Sequence, residues 1–213
     1  LAAKSDVAIV FVGTTAEIES EGHDRKDISL PDGQDQLVSA VAKVAKRTIV
    51  VVNAGSPVEM PWFDEVDSVL FTYFGGQQMG SALADVIYGV VNPAARTPTT
   101  WATQLSDLPV VNTTPTSGEL LYSEGRFIGY RAWRKSNRVP LIPFGHGLSY
   151  TTFTSELLSA DKSTAKVKVV NTGKRFGAEV VQLYATSSDA QSFERRLVGF
   201  AKVELNPGES ATV

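Results

Sequence analysis

Three glutamates, Glu17, Glu19 and Glu21, stand two residues apart within residues 13–25, a stretch that leaves an apolar run and also carries His23, Asp24 and Arg25. In an extended segment the three carboxylates would share one face, whereas in an irregular loop each can point its own way. Carboxylates held close raise one another's pKa, and partial burial adds to this, so one of them could stay protonated near neutrality and act as a general acid. The same letters also describe a charged surface loop with Arg25 and Lys26 as counter-ions. Other chemistry-bearing residues are sparser. His146, within the glycine-rich stretch Pro143-Phe144-Gly145-His146-Gly147-Leu148-Ser149-Tyr150, has no acid and nucleophile beside it and reads as a structural imidazole holding a turn. Gly75-Gly76 could offer backbone N–H groups to an anion, but without a G-x-G-x-x-G or G-K-[ST] pattern they read as a tight strand-to-helix turn. Residues 119–133 mix aromatics with charges, including Tyr122 and Arg126; they fit a carbohydrate pocket and a packed cover over a sheet equally well.

These residues must be held by elements the hydrophobic pattern announces. Residues 7–12, 48–53 and 68–74 are apolar and β-branched without alternation, as strands covered on both faces are. Between the first two, Leu37, Val38, Val41, Ala42, Val44 and Ala45 recur at helical spacing. After Gly75-Gly76 comes a second stripe of Met79, Leu83, Val86, Ile87 and Val90. Strands alternating with helices predict an α/β fold, a doubly wound and mostly parallel sheet flanked by helices, with ligand loops at the carboxyl ends of the strands. Trp62, in Pro61-Trp62-Phe63, reads as a core anchor. Residues 92–115, rich in proline and threonine, read as a long excursion rather than an element. Beyond Thr151 the period falls to two, with strands expected around 166–169, 179–184 and 197–203 and another beginning at 209–213. That spacing predicts an all-β immunoglobulin-like sandwich, truncated, since about 60 residues fall short of the roughly 100 of a complete one. The expected division is 1–150 and 151–213, in a chain that reads as cut at both ends.

Composition narrows the function. The 213 residues carry 43% hydrophobic and 20% charged side chains with a formal net charge of -3, ordinary values for a globular protein. No basic run calls for nucleic acid, and no apolar run approaches the roughly 18 residues of a membrane-spanning helix. Without cysteine there is neither a disulfide framework nor a thiolate metal site, and two histidines are too few for a histidine-rich metal centre.

Several strings, in order, resemble glycoside hydrolase family 3, the β-glucosidase and β-xylosidase family. Glu19-Ser20-Glu21-Gly22-His23-Asp24-Arg25 with Leu30-Pro31 is similar to that family's E-x-E-G-x-D-R…L-P loop. Asn53-Ala54-Gly55-Ser56-Pro57-Val58-Glu59 resembles its N-x-G-x-P-V strand end, and Phe74-Gly75-Gly76-Gln77 its G-G-Q turn. Ala95-Arg96-Thr97-Pro98-Thr99-Thr100-Trp101 resembles its G-R-L-P-x-T-[WF] segment, departing at Ala95 and Thr97. Glu124-Gly125 with Phe127 and Gly129-Tyr130-Arg131, the 143–150 turn, and the fibronectin type III-like Val180-Val181-Gln182-Leu183-Tyr184 complete the series.

The resemblance implies the α/β sandwich domain and most of the fibronectin type III-like domain of a retaining β-glycosidase acting on a β-glucoside or oligosaccharide. Its nucleophile Asp would lie on a preceding (β/α)8 barrel that this chain lacks, and its acid/base Glu on the loop matched here. The order of preference for that glutamate is Glu21, which directly precedes Gly22, then Glu19, then Glu17. Asp24 and Arg25 are expected to brace the loop with an ion pair, and Tyr122 and Arg126 to touch sugar at an outer subsite. Neither a metal nor an organic cofactor is implied, nor nucleic acid or membrane as a partner, and a homo-oligomer stays open. A carbohydrate-binding or scaffold module without catalysis is the alternative.

Overall fold

Three largely apolar runs pair side by side as parallel strands: β1 (Ala8–Gly13), β2 (Thr48–Asn53) and β3 (Ser68–Phe71), in the spatial order β1-β2-β3. The computed structural model describes residues 1–109, 113–186 and 195–213. The register runs from Ala8 beside Thr48 to Gly13 beside Asn53, so the two strands end level. Val50, Val51 and Val52 of the central strand are all buried, as its unbroken apolar run requires. Val10, Val12, Val50 and Val52 form a core with Leu30, Val38, Val58, Met60, Trp62, Trp101 and Ile142. Each such fully buried side chain contributes roughly 1.5–3 kcal/mol relative to exposure. Trp62 is the anchor expected, 0% exposed, its Nε1 donating to Asp35 Oδ1 at 2.7 Å.

The helices are shorter than their stripes. α1 (Gln34–Ala42) buries only Val38, while Leu37 and Val44 are about half exposed. β3 stops at Phe71 rather than 74 because Tyr73 adopts φ 50, which turns the chain out of the sheet. Gly75 then makes the tight turn anticipated: a Cβ there would lie 2.4 Å from Met79 Cγ. α2 (Met79–Ile87) closes with Gly89 at φ 72, where Gly89 N donates to Val86 O and Val90 N to Asp85 O, a Schellman arrangement that leaves Val90 outside the helix and 74% exposed.

Residues 92–115 hold a one-turn 3-10 helix, Leu105–Asp107, and a bridge from Trp101 to Ile142, but no longer element among those described; 110–112 lie outside them. The aromatic stretch resolves into two parts. Its first half forms turns, and its second is α3 (Gly129–Lys135), unannounced by the sequence, which buries Ala132 and Trp133.

The rest is antiparallel. β4 (Phe153–Ala160), β5 (Ala165–Asn171) and β8 (Ser210–Thr212) form one sheet, and β6 (Gly177–Ala185) pairs with β7 (Arg196–Leu205). β4 escapes the periodic signal because nearly all its side chains are exposed, so no buried face imposes alternation. Parallel and antiparallel parts meet at a polar seam. Arg96 Nη2 bonds Glu179 Oε1 at 2.7 Å, Gln182 Nε2 donates to Gly145 O at 2.8 Å, and Leu197 N donates to the Tyr130 hydroxyl at 2.8 Å. The 143–147 turn is pinned there by backbone: Thr97 N donates to His146 O, and His146 N donates to Thr97 Oγ1 and Pro143 O. The His146 side chain is exposed and takes no hydrogen bond among the described residues, so the imidazole is not what holds the turn.

Candidate active site

Because β1 and β2 run parallel and end level, the loops that leave them, 14–25 and 54–57, lie side by side at the carboxyl ends of the strands. Gly13 makes this approach feasible: a Cβ there would sit 2.3 Å from Asn53 O. Gln34, at the start of α1, grips the same glycine, its Oε1 accepting from Gly13 N at 2.7 Å and its Nε2 donating to Gly13 O at 3.0 Å. Phe74 closes over the neighbouring loop, where a Cβ on Gly55 would lie 2.5 Å from its ring.

The three glutamates receive three different environments. Glu19 is held by four donors: Thr14 Oγ1 and Gly55 N on Oε2, Ser56 Oγ and Arg25 Nη1 on Oε1, with Gly55 N at 2.8 Å and Arg25 at 3.4 Å. Burial alone would push its carboxyl up, but the hydrogen bonds from Ser56, Thr14 and Gly55 and the Arg25 charge together hold it below the ordinary glutamate range. Glu17 is exposed, and a hydrogen bond from the Thr15 side chain, then one from its own backbone N–H, lowers its carboxyl. Its backbone carbonyl meets His23 Nε2 at 3.0 Å. Glu21 is exposed at the tip, and among the described residues nothing bonds its carboxylate. The tip is a tight turn, with Gly22 N donating to Ser20 Oγ at 3.1 Å and Ser20 bridged to His23.

The bracing ion pair exists with a different acid. Arg25 pairs with Glu19, and its Nη1 also donates to Ser56 Oγ at 2.7 Å and Pro57 O at 3.2 Å. Asp24 is exposed, and no ion pair reaches it among the described residues. Arg25 Nε and Nη2 are buried without an acceptor. Tyr122 is 73% exposed on its turn, and the exposed Arg126 has its guanidinium 5.9 Å from the Phe127 ring centroid. Sequence reasoning missed Thr14, Gln34, Gly55 and Ser56, whose part in the site depends on the parallel register. The available signal was the Gly-Ser pair just past the second strand run. No cluster of three or more His, Asp or Glu side chains among the described residues could hold a metal ion, and none of the described helices is long and apolar enough to cross a membrane.

A free carboxylate on a turn at the strand ends, beside a second one locked by donors, can exchange a proton with a bound molecule. Comparison with known proteins gives this chemistry a setting. Residues 1–150 match the glycosyl hydrolase family 3 C-terminal domain model and residues 179–213 a fibronectin type III-like domain model. The chain is 47% identical over 223 residues to a thermostable β-glucosidase B of Acetivibrio thermocellus, covering 100% of this chain and 30% of that protein. It is 43% identical over 228 residues to a probable β-glucosidase I of Emericella nidulans, covering 100% and 27%. A solved β-glucosidase of Kluyveromyces marxianus in complex with glucose superposes with a TM-score of 0.95 at 39% identity, over 100% of this chain and 26% of that one. The chain thus spans under a third of the length of each of these three relatives.

Proposed function

As the chain belongs to the glycosyl hydrolase family 3 C-terminal domain family, we propose that it is the acid/base-bearing part of a retaining β-glucosidase, and that Glu21 is the acid/base. In such a reaction one carboxylate attacks the anomeric carbon while a carboxylic acid about 5–5.5 Å away protonates the leaving oxygen and, as a carboxylate, later activates water. Glu21 supplies the second group. The first comes from an Asp on an upstream (β/α)8 barrel, which is also where most of the sugar pocket resides. The relatives are named β-glucosidases, which makes a terminal β-D-glucosyl group the substrate of choice. The division falls at 150/151, with the α/β domain carrying the loop and the fibronectin type III-like part supporting it. Asp24 lies beside the tip as a supporting charge, and Tyr122 and Arg126 offer an exposed ring and a cation to the outer sugar.

One observation carries the choice of Glu21: among the three glutamates, Glu19 is held by four donors and Glu17 by its own neighbours, while Glu21 alone is unbound and exposed on the turn. A proton shuttle must accept and release, which a carboxylate whose lone pairs are all engaged does poorly. The test is hydrolysis of p-nitrophenyl β-glucoside by the enzyme carrying its upstream region. Glu21→Gln should lower turnover by about 10²–10⁴-fold, with azide restoring it through a glycosyl azide product, while Glu17→Gln stays near wild type. The 213-residue chain alone should hydrolyse nothing. Near-wild-type turnover of Glu21→Gln would remove Glu21 from the reaction.

A further inference from the structure

We infer that Glu19, Arg25 and Ser56 are positioning residues that form one clasp across two loops, setting the place of the turn 20–24 and of Glu21 within it. The inference rests on the reading of Glu21 as the acid/base. Glu19 and Arg25 flank that turn on either side, and both reach across to the same short segment after β2. Glu19 takes Gly55 N and Ser56 Oγ, and Arg25 gives one nitrogen to Ser56 Oγ and Pro57 O and to Glu19 itself. Ser56 Oγ is the shared atom, accepting from Arg25 and donating to Glu19.

The near side is fixed as well. Gln34 holds Gly13 by both its backbone groups, Thr14 N donates to Asn53 O at 3.2 Å, and Ile18 N and Glu19 N both donate to Thr15 O, winding the chain through a single turn before the clasp. The five residues between Glu19 and Arg25 thus span two points fixed on the rigid sheet end, and their own bonds, Gly22 N to Ser20 Oγ and the Ser20–His23 bridge, keep the turn tight. An acid on such a turn is placed by its supports, and misplacement by about 1 Å can cost on the order of 10²-fold in rate. Glu19 itself spends both oxygens on donors, so its service is geometric.

Misplacing a general acid weakens protonation of the leaving group, so its cost depends on how much the leaving group needs a proton. A loss of folded enzyme costs all substrates alike. The experiment uses the enzyme with its upstream region and compares kcat/KM for methyl β-glucoside, a poor leaving group, with 2,4-dinitrophenyl β-glucoside, a good one. The ratio of the two is independent of the fraction of enzyme that is folded. Glu19→Gln should lower the ratio by about 10- to 100-fold, without azide rescue, because the Glu21 carboxylate still occupies the place azide would take. Ser56→Ala, which removes one hydroxyl and leaves the ion pair, should move the ratio in the same direction by less, and Glu21→Gln should lower it too, with azide raising its turnover of 2,4-dinitrophenyl β-glucoside by attacking the glycosyl-enzyme. An unchanged ratio in both Glu19→Gln and Ser56→Ala, with Glu21→Gln behaving as expected, would overturn the clasp and leave Glu21 standing. Azide rescue of Glu19→Gln together with wild-type behaviour of Glu21→Gln would make Glu19 the acid/base and overturn both readings.

Discussion

Burial raises the affinity of Glu19 for a proton and four donors lower it, and the donors win. Its folded pKa therefore lies below the ordinary 4.5, so the folded state holds this proton less tightly than the unfolded chain. By linkage, the stability Glu19 contributes is fully present above about pH 4.5 and is lost as the pH falls through the depressed folded value. Glu19→Gln keeps the shape and an acceptor oxygen but loses the charge that Arg25 faces. Hydrogen bonds to charged groups are worth about 1.5–3 kcal/mol, so a deficit of that order is expected at pH 7. It should shrink as the pH falls below the ordinary 4.5 and toward the depressed folded value, where the wild type also loses its charge. Urea denaturation midpoints of both proteins at pH 7 and pH 3.5 check this. A deficit that persists unchanged at the lower pH would mean that the amide disturbs the site by shape alone.

At the level of elements, the site exists because two parallel strands end level. Gly13 is the close point: its backbone runs so near Asn53 O that a Cβ would stand 2.3 Å away, a separation the backbone can relieve only by shifting the strand. Gly13→Ala should destabilise by about 1–3 kcal/mol, which for a chain of this size lowers Tm by roughly 2–4 °C per kcal/mol. It should also loosen the two loops together, which a protease cutting after Arg25 would report. A Tm within a degree of wild type would show that the strand ends accommodate the methyl. The strands themselves were legible because β-branched runs such as Val50-Val51-Val52 have one reading when buried on both faces. Their stops were not. Tyr73 ends β3 by adopting a positive φ that its side chain does not advertise, and α3 is too short for a stripe to emerge above the aromatic and charged residues around it. The clustering of three glutamates in one loop was legible from spacing, but the locking of Glu19 was not. Glu19 meets Ser56 across 37 positions, and only the level ends of β1 and β2 bring the two together.

Across the whole molecule the same limit applies at the seam, where Arg96 and Glu179 are 83 positions apart and no periodicity relates them. Their side chains are 12% and 22% exposed, so this is a largely desolvated pair rather than a surface one. Removing one partner from such a pair leaves the other charge without compensation, at a cost of up to about 3–5 kcal/mol when burial is complete and less here. Arg96 adjoins Thr97, whose hydroxyl donates to Pro143 O at 2.8 Å, and the 143–147 turn in turn receives Gln182 from β6. The pair thus ties the segment after α2 and this turn to the fibronectin type III-like strands. Arg96→Met should therefore lower the thermal midpoint clearly. Arg96→Met with Glu179→Gln should recover part of the loss, because the amide keeps an acceptor for Val180 N without stranding a charge. Scanning calorimetry of both variants decides the matter. If the double variant is no more stable than the single one, the cost comes from lost packing of the arginine stem, and the seam is held by Gln182, by Tyr130 and by Asn92, whose Nδ2 donates to Phe176 O at 3.1 Å, rather than by charge.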